Sequence, residues 1–551
     1  MTKRQQYLLT PLLATGLLVA SNFISTLTYA QTSLIAQSGI AEVKTDAGNI
    51  QGFIKNGITT FRGIPYATAE RFMPPKKIEP WKNTRRTLSY GNICPQTISS
   101  QLREPQTFVA DTQYWPASEN CQNLNVWTQS LSDNKKRPVM VWLHGGGFVS
   151  GSSMELPLYD GANLTRSGDV VVVSVNHRLN VLGFLDLSAY GENYKYSGNV
   201  GMLDIVAALQ WVKNNIAQFG GDPNNVTIFG QSGGGAKVAT LLTTPSAKGL
   251  FHKAIVQSGA PGGVMRTGPD NTLARRVAEL TLEFSGVKST ELEKLSEISY
   301  DELTSAANQA LAAVSQEQRS GPGLLGGPGI SWGPVIDKDF LPVSPFESQA
   351  PEVSKGIPLM VGSTLSEFEN INPHVAARRN WSVDQVKEFL QQMRGENAEK
   401  IYAAYEKAYP ELAPAVRLSV ESMFRSGVLR TADLKAKQGD PVYSYIFAWR
   451  SPVLDYAWAA GHSAELSFIF DNFELGIQSH GGGPVVEKLH EQMSQAWARF
   501  AHTGNPNHPG MPEWAIYTEQ NPATMVFDDE PDLRIDFDTE LIKLLSVRPE
   551  R

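Results

Sequence analysis

Val226 to Ala236 reads Val-Thr-Ile-Phe-Gly-Gln-Ser-Gly-Gly-Gly-Ala, and within it Gly230-Gln231-Ser232-Gly233-Gly234 fits the pattern G-x-S-x-G. A serine in that pattern works as a nucleophile when a strand leads in and a helix leads out. The sharp turn exposes its hydroxyl, and small neighbours let a carbonyl compound approach. Val226 to Phe229 is an apolar, β-rich run, and Ala236 to Leu242 reads as the start of a helix. A second match, Gly329-Ile330-Ser331-Trp332-Gly333, lies in a Gly/Pro-rich stretch with Pro334 directly behind it. No strand leads into it and no helix can follow, so Ser331 reads as a loop residue and Ser232 as the nucleophile.

A serine hydroxyl is a poor nucleophile near pH 7 and needs a base to take its proton as it attacks. With a strand-turn-helix serine, the expected chain order is Ser, then Asp or Glu, then His. Of nine histidines, His144 opens the run His144-Gly145-Gly146-Gly147-Phe148 behind an apolar strand, Val139 to Leu143. Glycines there let backbone amides crowd against a ligand, as an oxyanion hole requires. The same run could be an inert glycine turn, but its company with the serine elbow favours chemistry. His177 and His252 precede or closely follow the elbow; His480, His490, His502 and His508 read as late-loop or helix-surface residues. His462 stands in Ala460-Gly461-His462-Ser463-Ala464-Glu465-Leu466, a glycine-preceded loop after a late strand. That is a suitable place for the base, and composition does not separate the candidates further.

These residues must be carried by a scaffold that alternates strand and helix. Val170 to Val175, Lys253 to Gln257, Pro358 to Val361 and Val442 to Trp449 read as buried strands. Met202 to Phe219 has apolar residues at helical spacing, and Leu489 to Ala501 reads as a late helix. The alternation predicts an α/β protein with a parallel sheet wrapped by helices. Ala41 to Thr60 reads as a hairpin or meander with turns at Ala47-Gly48 and Asn56-Gly57. Asn271 to Gln318 turns helical and polar, Ser320 to Pro334 is rich in breakers, Trp381 to Glu411 is helical, and the tail reads as loop. The insertion between Ser232 and the later strands is expected to cover the C-terminal edge of the sheet, where open α/β sheets bind ligands. Leu324, Leu325 and Trp332 are its candidates for touching substrate.

A hydrophobic share of 41% and a charged share of 19% describe a globular chain with ample core. The net charge of −7 and the lack of a long basic run argue against nucleic acid as a partner. Lys3 and Arg4 precede the apolar stretch Leu8 to Ala20, and Thr28-Tyr29-Ala30 offers a small-residue cleavage site. This is the pattern of a secretory signal spanning residues 1–30, with Ala36 as a second possible cut. The apolar run is shorter than the ~20 residues a membrane span needs, and no later stretch reads as a span. The mature chain, 31–551, is expected as one domain, secreted or periplasmic. In an oxidising compartment Cys94 and Cys121 are expected to pair; no His-Cys cluster surrounds them to hold zinc.

From about Ala41 to Trp514 the chain resembles the type B carboxylesterase family, the group that contains cholinesterases and para-nitrobenzyl esterases. The resemblance rests on Phe61-Arg62-Gly63-Ile64-Pro65-Tyr66-Ala67, Glu119-Asn120-Cys121, His144-Gly145-Gly146-Gly147, Asn199-Val200-Gly201-Met202-Leu203-Asp204 and Phe219-Gly220-Gly221-Asp222-Pro223, with the elbow and the His462 segment. It implies an α/β-hydrolase fold: a large, mostly parallel central sheet flanked by helices, with helical insertions over the active site. It also implies a Ser232, Glu367, His462 triad. Glu367 comes from Gly362-Ser363-Thr364-Leu365-Ser366-Glu367, which matches the family's G-T-N-x-x-E, with Glu369 as the neighbouring alternative. The implied oxyanion donors are Gly146, Gly147 and Gly233. The family's disulfide maps to Cys94 and Cys121, its ion pairs to Arg71 with Glu119 and Arg178 with Asp204, and a serine near the triad to Ser258. The chain departs from the family pattern at Gln231, Gly233, Thr364, Asn120 and Gln122. Trp115 lies too close to Cys121 to match the choline-binding tryptophan, so no choline site is expected.

The expected function is therefore hydrolysis of small carboxylic esters through an acyl-enzyme, without metal or organic cofactor. Two rivals stand beside it: a hydrolase of another acyl bond such as an amide, carbamate or lactone, and a non-catalytic binding protein of the same fold. The oligomeric state is not written in the sequence.

Overall fold

The computed structural model describes residues 33–97, 106–261, 271–318, 330–368 and 377–546. The leader, Leu324, Leu325 and Glu369 lie outside the described residues. Unbroken runs of β-branched and aliphatic residues are stable only where both faces of a strand are covered. They form the middle of a 12-stranded sheet. Its strands are β1 (Leu34–Ile35), β2 (Phe53–Lys55), β3 (Ile58–Pro65), β4 (Asn123–Thr128), β5 (Arg137–Leu143), β6 (Val171–Val175), β7 (Gly221–Gln231), β8 (Lys253–Gln257), β9 (Leu359–Thr364), β10 (Val442–Phe447), β11 (Ala523–Phe527) and β12 (Asp532–Ile535). In space the order is β1-β2-β3-β4-β6-β5-β7-β8-β9-β10-β11-β12. Neighbours from β6 to β11 are parallel. The pairs at either end, β1 through β4 with β6 and β11 with β12, are antiparallel.

Alternate residues of each strand enter opposite cores. Val139, Val141 and Leu143 of β5 join one apolar cluster, Met140 and Trp142 the other. The helices α1 (Val200–Asn215), α2 (Gly233–Leu241), α3 (Thr272–Ser285), α4 (Tyr300–Glu317), α5 (Val383–Arg394), α6 (Ala398–Ala408), α7 (Met423–Lys437), α8 (Pro484–Thr503) and α9 (Thr539–Ser546) follow. Helix α1 seals the first core with Met202, Ile205, Leu209 and Val212. On the other face α8 lays down Leu489, Met493, Trp497 and Phe500, a stripe spaced at about one helical turn. Helices α3 and α4 are inserted between β8 and β9. Ser299 and Glu302 cap the start of α4 reciprocally. Trp332 is buried with Val277 and Leu311 in the first core, so it anchors this insertion.

Cys94 and Cys121 form a disulfide across 27 residues, a closure worth roughly 3–4 kcal/mol in the chain-entropy picture. Arg71 grips Glu119 with two bonds of 2.8 and 2.5 Å. Arg178, buried, holds the equally buried Asp204 at 2.8 and 2.7 Å and spends a further nitrogen on the Glu70 and Met73 carbonyls.

Three expectations are corrected. The tail is not loop: Ala523–Phe527, Asp532–Ile535 and Thr539–Ser546 are two strands and a helix. His480 and His490 are not on the surface; both are buried and pack around Phe468 and Phe473. The elbow helix begins at Gly233, three residues before the apolar run suggested.

Candidate active site

Strand β7 runs in register with β5 on one side (Leu143 beside Gly230) and β8 on the other (Gln231 beside Gln257). At its C-terminal end Ser232 takes φ 58° and ψ −125°, a conformation that costs a non-glycine residue on the order of 1–3 kcal/mol. Two backbone bonds hold it there: Ser232 N donates to Gln257 O at 2.8 Å, and Ala236 N donates to Ser232 O at 3.0 Å. The turn is so tight that a Cβ on Gly234 would lie 2.0 Å from the Leu143 carbonyl oxygen. Glycine is required there by contact.

The loops after β9 and β10 are joined by backbone. Ser366 N donates to Ala460 O at 3.0 Å and His462 N to Glu367 O at 2.9 Å, with Glu367 and Gly461 in a parallel bridge. This brings His462 Nδ1 onto Glu367 Oε2. Glu367 is wholly buried, and its other oxygen accepts the Thr364 amide at 2.9 Å, while Thr364 Oγ1 accepts the Glu367 amide at 3.2 Å. Threonine thus fills the place of the family's asparagine with a working bond. The imidazole is flanked by Phe368, ring centroids 4.1 Å apart, and Phe424, 5.6 Å. Gln231 Nε2 lies 3.4 and 3.3 Å from the two ring nitrogens. That near-equal spacing is contact with the ring rather than a directed hydrogen bond. Ser463 Oγ holds the same amide by its oxygen at 2.9 Å. Among the described residues no hydrogen bond joins Ser232 Oγ to His462; in substrate-free enzymes such bonds are often long and tighten on binding.

Gly146 (φ 78°) and Gly147 (φ 65°) turn the loop after β5 in the left-handed region. A Cβ on Gly233 would fall 2.2 Å from Gly147 O and 2.4 Å from Gly147 N, so the two backbones are in direct contact. The amides of Gly146, Gly147 and Gly233 donate to no acceptor among the described residues. Three free N–H groups beside a serine form a site that can hold an oxyanion. A glycine at 233 is therefore more than a change of neighbourhood: alanine does not fit unless Gly147 moves.

Three residues of the site were not foreseen. Lys237, on α2 and wholly buried, donates from Nζ to His144 O at 2.8 Å and Gly145 O at 3.4 Å. Burial pushes its ammonium down to about 7, and Glu155 opposes that shift. Glu421 and Glu465 are buried close to Glu367. Burial first, and the charge of Glu367 second, raise both to about 8. A lysine in an apolar helix face ordinarily reads as a solvent-facing residue, and no local pattern marks it otherwise. Glu465 stands three residues after His462, just before the short helix Leu466–Ile469, and that closeness in sequence is the one signal that places it near the histidine. Ser258, buried with φ 44°, donates its amide to Gly362 O at 2.8 Å at the edge of the same site. Ser331 lies exposed in a loop, as expected. Among the described residues no cluster of His, Cys, Asp and Glu could hold a metal.

Residues 40–542 match the model of the Carboxylesterase family. The para-nitrobenzyl esterase of Bacillus subtilis (strain 168) is 34% identical over 517 residues, covering 92% of this chain and 99% of its own. An esterase from Clostridium hathewayi, described as hydrolysing aliphatic aromatic polyesters, superposes with a TM-score of 0.83. It is 38% identical, with 93% of this chain and 99% of its own covered. A carboxylesterase of Geobacillus stearothermophilus follows with a TM-score of 0.73 and 35% identity over 92% and 99%. The parallel sheet, the insertion between β8 and β9 and the match along nearly its whole length place this chain in the carboxylesterase family, as an enzyme that hydrolyses carboxylic esters.

Proposed function

We propose that the enzyme cleaves small carboxylic esters through a covalent acyl-enzyme on Ser232. Ser232 Oγ attacks the ester carbonyl as its proton passes to His462 Nε2, forming a carbon–oxygen bond and a tetrahedral oxyanion. The amides of Gly146, Gly147 and Gly233 stabilise that charge. The oxyanion collapses, the bond to the alcohol breaks, and His462 returns the proton to the leaving alkoxide. Water then repeats the sequence: it loses a proton to His462, adds to the acyl carbon, and releases the acid and Ser232. Glu367 fixes the tautomer with the proton on Nδ1 and balances the imidazolium.

The observation that carries this reading is the bond from His462 Nδ1 to the buried Glu367 carboxylate, zipped in place by two backbone bonds. A structural histidine has no need of a fully buried carboxylate on Nδ1 beside a strained serine. The same constellation could open other acyl bonds, since the leaving group is chosen by pocket shape. Exposed apolar side chains on the loops that carry the site, Val149, Leu454 and Tyr456, favour esters with apolar bulk over small charged ones. We further propose that the chain is exported and cut after Ala30.

A fluorophosphonate probe with peptide mapping tests the assignment. The label is expected on Ser232 and lost in Ser232→Ala, whose kcat falls ~10⁴-fold or more. Label on Ser331, or an active Ser232→Ala, overturns it. A panel of p-nitrophenyl esters of rising acyl length, with matched anilides and carbamates, then reads the bond and chain preference.

A further inference from the structure

The oxyanion loop takes its turn through three glycines, which have no side chains to pin them. Gly145, Gly146 and Gly147 follow one another, two of them in the left-handed region, and glycine has more conformational freedom to lose than any other residue. A donor group that works by direction needs an external anchor. The Gly146 carbonyl is taken by the amides of Val149 and Ser150 and by Ser150 Oγ. Two side chains reach the carbonyls before it: His144 Nδ1 donates to Gly145 O at 3.0 Å, and Lys237 Nζ donates to His144 O at 2.8 Å and Gly145 O at 3.4 Å. The lysine stands on α2, five residues after the nucleophile, with none of its surface exposed.

Peptide geometry turns this anchor into a catalytic matter. The C=O of Gly145 and the N–H of Gly146 belong to one planar, trans unit and point in opposite directions. A donor on the carbonyl therefore fixes the line along which the Gly146 N–H points, and by polarising the unit makes that N–H a stronger donor. The same holds one unit earlier for His144 C=O and Gly145 N–H. Burying a lysine is unfavourable unless its donors are used, and here they are used on these two carbonyls.

We propose that Lys237 is a positioning residue for ester hydrolysis: from the nucleophile's own helix it clamps the His144 and Gly145 carbonyls and so aims the Gly146 amide at the developing oxyanion. The clamp ties the serine and the oxyanion loop to a single helix. It rests on the reading of Gly146 as an oxyanion donor given above.

Lys237→Met keeps the length of the side chain and removes its donors; Lys237→Gln keeps a shorter donor. Both are purified beside the parent and Ser232→Ala, and compared by thermal melt, kcat and KM on p-nitrophenyl butyrate, and inhibition by an alkyl trifluoromethyl ketone, whose serine adduct carries an oxyanion. Lys237→Met is expected to lower kcat by ~10–10²-fold with KM within ~3-fold, and to weaken the ketone by the same factor as kcat/KM. Lys237→Gln is expected to recover part of both losses. A folded Lys237→Met with parental kcat and ketone affinity, even if its melting temperature falls, overturns the proposal, because a lysine that only packs would move stability alone. If Lys237→Met does not fold, Lys237→Gln decides: parental kcat and ketone affinity there sink the clamp, and parallel losses with unchanged KM support it. An active Ser232→Ala is a different result, and overturns the assignment of the site itself.

Discussion

The two halves of the proposed site, one holding the serine and oxyanion loop and the other the acid and base, are made of different material. The serine and oxyanion half is backbone: glycines at 145, 146, 147, 233 and 234, strained dihedrals, and contacts in which a single Cβ would lie 2.0–2.2 Å from a carbonyl oxygen. The acid and base half is side chain: Glu367, His462, Thr364, Phe368, Phe424 and Gln231 in contact. Backbone chemistry leaves one residue type that fits. Side-chain chemistry leaves several, provided the bond is kept. Two departures from the family pattern, Thr364 and Gln231, each make a sound contact on the second half, while Gly233, a departure on the first half, leaves no room for a Cβ against Gly147.

The sharpest way to break this contrast is Glu367→Gln. It preserves shape but lets the neutral histidine take the wrong tautomer, and kcat is expected to fall ~10³–10⁴-fold with the melt nearly unchanged. A smaller loss than that of Gly233→Ala, measured side by side, would show that the side-chain half is the more tolerant even at its central bond. Gly233→Ala itself is expected to lower kcat by ~10²-fold, about the worth of one oxyanion donor, because Gly147 must move. Thr364→Asn, on the other half, should stay within ~3-fold, since an asparagine side chain can also accept the Glu367 amide. Equal losses in those two variants would erase the distinction.

A further effect is on stability and leaves turnover aside. Glu465 has its proton affinity raised from 4.5 to about 8. Between those values the folded chain keeps a proton that the unfolded chain has lost, so stability falls as pH rises through that window. Glutamine carries no such penalty. Glu465→Gln is expected to match the parent near pH 4.5 and to exceed it by a few kcal/mol at most above pH 8, read from urea midpoints at pH 5 and pH 9. Glu421 titrates over the same range, so some pH dependence should persist. Parallel parent and variant curves would mean that Glu465 is already satisfied when ionised.

What could be read beforehand follows the same division. The parallel strands from β5 to β10 carry mostly apolar runs, and the elbow and glycine loop are local patterns, so both were legible. Strand β4 was not, because Asn123 and Asn125 interrupt its apolar run. Both are buried and draw on distant partners: Asn123 Nδ2 donates to Asn92 O at 2.8 Å, Asn125 Oδ1 takes the Gly63 amide at 3.0 Å, and Asn125 Nδ2 donates to Ser153 and Ser174 at 3.1 and 3.0 Å. The short strands β11 and β12 gain their meaning from pairing with β10 and each other. Lys237, His480 and His490 are polar types that solvent ordinarily claims, and their burial is decided by tertiary neighbours. His462 could be chosen among nine histidines only through the family resemblance. Its bond to Glu367 spans 95 positions.

That long span couples catalysis to the assembly of the chain. His462 and Glu367, the proposed base and acid, are joined through main-chain bonds between the loops after β9 and β10, and β10 is itself held by β11. A nascent or partly melted molecule with β7 and its elbow in place, but with these later strands undocked, carries a serine without a base. With that assignment hydrolysis is a property of the finished sheet, and loss of turnover on heating should register the loosening of its C-terminal strands before the central ones let go.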